Sequence, residues 1–467
     1  MRAGSLEGRR GAVDESAAPA GPLALTGWVM FDWATQPFYT LVVTFLFAPY
    51  FVNGFVGDAA LGSTLWAYAT GVAELIAAFL APVLGAIADT GLPRKPWIAG
   101  FSVLLVIGLG GLWLAIPGRS DLVPLVLLCF ALATIGAELA TVFNNATMPS
   151  LVSPKRLGRL SGIGWAAGYF GGVVSLFLVL GLLIPAAGSG KTLFGLSPLI
   201  PLDAATREPD RFIGPFSALW YLVFVLPLFL FTPDRPPTAR ETVTVKAGLS
   251  QLASGVKDLV RHHRQIARFL LARMIYADGL GAIFAFGGIY AATVFGWAAT
   301  ELGLFGIILT IAGTVGAAFG GILDDRVGSK RVIQWTLVLF ILAALAVLSV
   351  DANHILFVLP VEPKRADSAL FAATGEQVYL LFAILIGLAS GPIQSSSRTL
   401  LARLCPADKT TEFFGFFSFS GKATAFAAPL LIGAVTAATG SQRLGIATSL
   451  VFLLAGLALL QRVKSKD

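Results

Sequence analysis

The chain has 467 residues, of which 56% are hydrophobic and only 13% charged, against roughly 25% charged residues in a soluble domain. Half of the charge that water demands is missing, which excludes a soluble enzyme or soluble binding module. The net charge of +7 does not point to nucleic acid, because the basic residues sit in short loops between hydrophobic segments, without an interleaved aromatic stacking surface.

In chain order, residues 1–24 are polar and small, with no apolar run before a cleavage site. They read as a disordered cytoplasmic tail and not as a signal peptide. Uncharged stretches then recur, several longer than the roughly 18 residues that a spanning helix needs. Hydropathy predicts helices at about 25–53, 63–88, 96–117, 121–149, 158–185, 212–232, 267–295, 300–323, 331–350, 377–402, 412–438 and 441–461. Ten-residue segments of alternating hydrophobicity, which would mark an outer-membrane barrel, are absent. The expected fold is an all-α membrane protein with twelve transmembrane helices in two pseudo-symmetric six-helix bundles. The bundles span 25–232 and 267–467, the latter including a short cytoplasmic tail, and a polar cytoplasmic linker at 233–266 joins them.

Orientation follows from Lys and Arg. The tails, the linker and the loops on their side carry more than three times as many as the opposite side, so both termini are expected in the cytoplasm. Cys129 and Cys405 form no CxxC pair, and His262, His263 and His354 lack metal-ligand spacing, so neither a disulfide nor a metal nor a cofactor is expected. The run Gly188-Ser-Gly190-Lys191-Thr192 has Pro185 where a phosphate-binding loop needs its first glycine, which disfavours a nucleotide-driven pump.

Two loops repeat one pattern at the same place in each half. The first runs Gly85, three residues, Asp89, then a turn to Arg94 and Lys95; the second runs Gly321, three residues, Asp325, Arg326, Gly328, Lys330 and Arg331. Such matching is what a parallel internal repeat predicts. Gly85 and Gly321 permit close approach of a neighbouring backbone. Asp89 and Asp325 suit the N–H groups at a helix N-terminus in the other half, with the basic pair holding the carboxylate by charge. A contact of this kind locks the cytoplasmic side in one state and releases it in another.

These loops resemble the signature of the major facilitator superfamily, fully in the second copy. In the first copy Thr90 replaces a basic residue, and an extra residue precedes Arg94. Gly164, Gly168, Gly171 and Gly172 are similar to the superfamily's antiporter helix motif, without its proline. A closer resemblance lies in the segment Gly27 to Tyr39, with Trp28, Asp32 and Trp33, in Glu138 to Pro149, and in Arg156 to Gly162. Ala272 to Gly279, Gln394 to Arg398 and Glu412 to Lys422 continue it. These segments are similar to the branch containing the fungal vacuolar amino-acid effluxer and its bacterial relatives, with Thr35-Gln36 where Asn-Ser is usual. The resemblance implies a secondary transporter, with amino acids as the substrate class of the vacuolar members.

Ionisable residues inside spanning helices are costly and normally face a cavity or a partner. Here they are Asp32, Glu74, Glu138, Arg273, Asp278, Arg398 and Lys422. The resemblance implies that helices 1, 4, 7 and 10 line the central path, and all four carry such a charge. Asp32 lies ~10 Å from the cytoplasmic end at the helical rise per residue. Asp32, Arg273 and Arg398 therefore read either as a gate of salt bridges or as substrate contacts. Glu74, Glu138, Asp278 and Lys422 lie deeper, where a substrate or proton role is expected. A zwitterion would place its ammonium on Asp278 or Glu138 and its carboxylate on Arg398 or Lys422. Asn144, Asn145 and Gln394 are candidate polar contacts on helices 4 and 10, with helix bridging as the alternative.

The expected function is rocker-switch transport of a small polar metabolite with proton coupling, in a monomer of the cell membrane. An exporter of drugs or lipids with the same fold is the rival transporter. A membrane sensor or scaffold would not need charges on four cavity helices, and an intramembrane enzyme would need a nucleophile–base pair that no helix supplies.

Overall fold

The computed structural model describes residues 20–185, 190–236, 255–365 and 369–465. Most of the polar tail, the middle of the linker, and Gly188 of the phosphate-loop-like run lie outside these residues. The membrane helices are α1 (Pro22–Val56), α2 (Ala59–Asp89), α3 (Lys95–Leu114), α4 (Ser120–Ser150), α5 (Pro154–Leu183) and α6 (Glu208–Phe231) in the first half. The second half has α7 (Arg264–Phe295), α8 (Thr300–Val327), α9 (Ser329–Leu348), α10 (Thr374–Leu404), α11 (Thr410–Ser420), α12 (Ala427–Thr439) and α13 (Gln442–Gln461). A short helix at 255–262 precedes α7. The face on which α1 starts, α6 ends, α7 starts and α13 ends is called the linker face below.

Eleven of these helices are long and apolar enough to cross a membrane. Each buries its backbone polar groups within itself, as lipid requires. Large apolar side chains such as Tyr68, Ile107, Leu230, Phe319 and Val451 stand outward from the bundle, where a bilayer would solvate them.

The remaining span corrects the sequence expectation. The predicted continuous helix 412–438 is two pieces, α11 and α12, separated by a turn over 421–426. Hydropathy counts apolar side chains and is blind to the hydrogen-bond ladder. Here Gly421, a poor helix former, and the partly buried Lys422 fall inside the run. The ladder stops, and the backbone closes short turns instead, with Ala425 N–H donating to Lys422 O and Ala427 N–H to Thr424 O.

α1 is irregular for a related reason. Pro37 offers no N–H, and a π-helical stretch, Phe38–Phe45, follows it directly. Within that stretch Tyr39 reaches α4. The halves meet where α5 packs on α8 and α2 on α11. On the face opposite the linker, a two-stranded hairpin pairs His354–Ile355 with Leu359–Pro360, near the start of the loop that follows α9.

Candidate functional site

The two repeated loops do the same thing in space. Asp89 ends α2 and accepts the backbone N–H of Glu412 at 2.9 Å and the hydroxyl of Thr411 at 2.7 Å, at the start of α11. Asp325, near the end of α8, accepts the N–H groups of Gly158 and Arg159 at 2.9 and 3.2 Å, at the start of α5. Each carboxylate thus caps the N-terminus of a helix in the other half, where free N–H groups and the helix dipole favour negative charge. The glycines make the approach feasible. A Cβ at Gly85 would lie 2.5 Å from Thr411 O, and one at Gly321 would lie 2.6 Å from Gly158 O.

Of the basic residues the spacing suggested, Arg94 alone reaches its carboxylate. Arg94 is buried and donates to Thr411 Oγ1 at 3.0 Å and Ala146 O at 2.8 Å, with Asp89 at 3.5 Å. Burial, and then the charge of Arg235, pushes Arg94 down to about 10, so it stays a cation. Lys95, by contrast, donates to Phe229 O, and Lys330 to Gln461 O, each within its own half. Gly328, at φ 93°, makes the turn between α8 and α9. Arg326 and Arg331 are exposed, and no ion pair to Asp325 is formed by either among the described residues. The charge beside the second loop comes from Arg403 of α10, 2.9 Å from Asp324 and 3.7 Å from Asp325, and from Arg159 of α5, 3.8 Å from Asp325. Arg235, 3.6 Å from Asp89, joins the first loop from the linker. Sequence reasoning missed Arg403, Asp324 and Arg235; the Asp-Asp pair at 324–325 was the one visible signal.

Deeper in the bundle, Arg398 of α10 ties the halves together. It donates to Asp32 of α1 at 3.0 Å, Asn145 of α4 at 2.9 Å, and the hydroxyl and carbonyl oxygens of Ser161 of α5 at 2.9 and 2.7 Å. Its guanidinium lies 4.9 Å from the centre of the Trp28 ring. A buried arginine is tolerated only when paired and bonded in this way.

Next to this cluster lies a cavity of about 380 Å³ between the halves, within the size range of small-molecule sites. Asp32, Gln36, Tyr39, Glu138, Asn145 and Trp165 line it from the first half, and Arg273, Gln394, Arg398, Phe417 and Lys422 from the second. Lys422, in the turn that splits α11 from α12, lies 3.1 Å from both Glu74 and Glu138. Tyr39 donates to the same Glu138 oxygen at 3.1 Å. Arg273 lies flat on Phe417, 3.5 Å from the ring centre, and donates to Phe417 O and Ser420 Oγ. Among the described residues no carboxylate forms an ion pair with it.

Three expectations therefore change. Asp278 is buried at 5% exposure and lies outside the cavity wall, because its position on α7 turns it toward the split helix. Asn144 also faces away; its main-chain oxygen accepts the Trp28 indole N–H, and its amide is buried without a partner. Arg398 and Lys422, proposed as carboxylate anchors, are already engaged by Asp32, Glu74 and Glu138, and the cavity cation without a carboxylate is Arg273. Glu74 reaches the cavity only through Lys422.

Comparison with known proteins agrees with this architecture. A family model described as vacuole effluxer Atg22 like matches residues 52–467. An uncharacterized MFS-type transporter of Bacillus subtilis, YxiO, is 26% identical over 440 residues, covering 93% of each chain. Autophagy-related protein 22 of Cryptococcus neoformans is 28% identical over 312 residues, which are 65% of this chain and 50% of that protein. Among solved structures, the E. coli fucose:proton symporter superposes with a TM-score of 0.66 at 16% identity, covering 95% of this chain and 99% of that one. The human organic anion transporter gives 0.66 at 16% identity, covering 94% and 98%. The chain belongs to the Atg22-like family, within the major facilitator superfamily.

Proposed function

We propose that the cargo of this secondary transporter is a small zwitterion of the amino-acid class, moved by alternating access and coupled to protons. The observation that carries the reading is the charge layout of the cavity. Lys422 is shared by two carboxylates, so the group Glu74, Glu138 and Lys422 has one negative charge to spare, while Arg273 has one positive charge that no carboxylate among the described residues pairs with. A molecule with an ammonium and a carboxylate at fixed separation satisfies both, the first at Glu138 and the second at Arg273. A drug or lipid exporter would gain little from fixed charges of both signs.

The excess of Lys and Arg on the linker face supports placing that face in the cytoplasm of a cell membrane. The polar contacts between the halves lie there and at mid-depth, which supports reading the structure as a state closed toward the cytoplasm.

The test is counterflow in proteoliposomes with labelled amino acids, peptides and sugars. Replacing Arg273 by Gln removes charged hydrogen bonds worth about 1.5–3 kcal/mol, raising the half-saturation concentration on the order of 10- to 100-fold. An amine lacking the carboxylate that competes as well as the parent amino acid would sink the reading. Transport of the deaminated acid alone would replace it with an organic-anion carrier.

A further inference from the structure

Asp278 is the one intramembrane carboxylate of the set that neither lines the cavity nor meets a cation. Asp32 pairs with Arg398, and Glu74 and Glu138 share Lys422. Asp278 is 95% buried by its 5% exposure, and its Oδ1 has no hydrogen-bond partner. Beside it, within reach but short of hydrogen-bond geometry, is the hydroxyl of Thr424, whose Oγ1 is likewise buried.

The groups facing Asp278 from its neighbours are neutral or turned elsewhere. On α7, Arg273 is held by Phe417 and Ser420, and the Tyr276 hydroxyl by Ser397 of α10. From α13, Leu453 and the Ser449 carbonyl pack against Gly279. Lys422 points to the opposite side of the split helix, toward Glu74 and Glu138. An uncompensated carboxylate in such a place is very costly, and the neutral acid is the form that burial tolerates.

We propose that Asp278 is the site at which the coupling proton is carried. This assignment rests on the transport reading above but is separable from it. The proton comes from water on one side of the membrane, forms an O–H bond on the Asp278 carboxylate and cancels its charge. It leaves to water on the other side when the carboxylate is exposed there. Thr424 supplies the link to the cargo. It stands two residues after Lys422 in the turn over 421–426. The neutral acid donates to the Thr424 hydroxyl, whereas the carboxylate accepts from it, so protonation reorients the segment that also sets Lys422 between Glu74 and Glu138. Broken helices at mid-membrane carry coupling ions in other transporters. Only two orphaned oxygens are found here, and that suits a proton better than a sodium ion, which needs a cage of several.

The experiment uses the purified full chain in detergent and needs no substrate. Acid–base titration should show wild type binding one proton more than Asp278→Asn across the neutral range, with the two alike in thermal unfolding. Thr424→Val should keep that proton but shift the pH at which it binds. A titration of Asp278→Asn superposable on wild type overturns the proposal. So does saturable binding of radioactive sodium to wild type that Asp278→Asn abolishes, which would make this a sodium site. In proteoliposomes, Asp278→Asn should lose accumulation driven by a pH gradient while retaining counterflow. Wild type that shows no counterflow with any amino acid would defeat the cargo reading and leave the proton count standing.

Discussion

Asp89 at the end of α2 accepts the backbone N–H of Glu412 at the start of α11 at 2.9 Å, a bond from one half of the molecule to the other on the linker face. Its counterpart, Asp325 on Gly158 and Arg159, does the same for α8 and α5. The face is therefore closed by two helix caps whose carboxylates belong to the opposite half. Parting the halves there would break both caps together with the bonds from Arg94 to Thr411 and from Arg235 to Ala407, and needs no helix to unfold.

Cys405 reports on that closure. Its thiol is half-buried just past the end of α10, and desolvation first, then the charge of Asp89, pushes it well above the ordinary thiol range, so it reacts slowly. Losing an aspartate cap costs about 0.5–2 kcal/mol. Asp89→Ala, in a Cys129→Ser background, should therefore raise maleimide labelling of Cys405 on the order of 2- to 30-fold. Unchanged labelling would show that the cap does not hold the face shut.

Gly321 sets how close α8 and α5 come. A Leu there must push against the Gly158 carbonyl and the Gly162 backbone, an overpacking cost of about 1–3 kcal/mol borne only by the closed state. Spin labels at the exposed residues Lys155 and Arg331 should report a longer distance in Gly321→Leu, with transport reduced. An unaltered distance distribution contradicts the close-packing argument.

Arg398 and Asp32 are best tested as a pair. Arg398→Ala leaves the partly buried Asp32 without its cation, which should cost up to about 3–5 kcal/mol and lower the unfolding temperature. Asp32→Asn combined with Arg398→Gln removes both charges and should recover most of that loss while transport remains impaired. If the double variant melts no higher than the single one, Asp32 is not what Arg398 compensates.

Asp351, in the loop after α9, gives a pH signature outside the membrane. Burial pushes its carboxyl up, but the N–H groups of Asn353 and His354 and the Arg443 guanidinium outweigh this and hold it down to about 2. A folded value below the unfolded one, roughly 3.9, means that the contribution is complete above the unfolded value. It is lost as pH falls through the folded one. Asp351→Asn should therefore melt below wild type by a constant margin from neutral pH to about pH 5, and the margin should shrink below about pH 4. A margin that persists in acid would rule out the carboxylate as its source.

The paired loops show how far the sequence reaches. Gly85 with Asp89 and Gly321 with Asp325 were readable because the pattern recurs at matched positions, and an acceptor beside a glycine has one obvious use at a helix end. Arg94 beside Asp89 was readable too, but the cation beside the second carboxylate was not. Arg403 is remote in sequence from Asp324 and Asp325, and Lys330, which is near, turns to Gln461.

Eleven of the twelve expected spans and the identity of the intramembrane charges follow from composition and hydropathy alone. Lipid forces every spanning backbone to satisfy itself and makes each buried charge conspicuous. Tertiary structure decided the break over 421–426, because a hydrogen-bond ladder leaves no trace in hydropathy. It also decided which charges neutralise one another. Coulomb energy depends on distances between α1, α2, α4, α7, α10 and the turn after α11, and these exist only once the halves have docked. That docking left Arg273 facing the cavity without a carboxylate and Asp278 behind it without a cation.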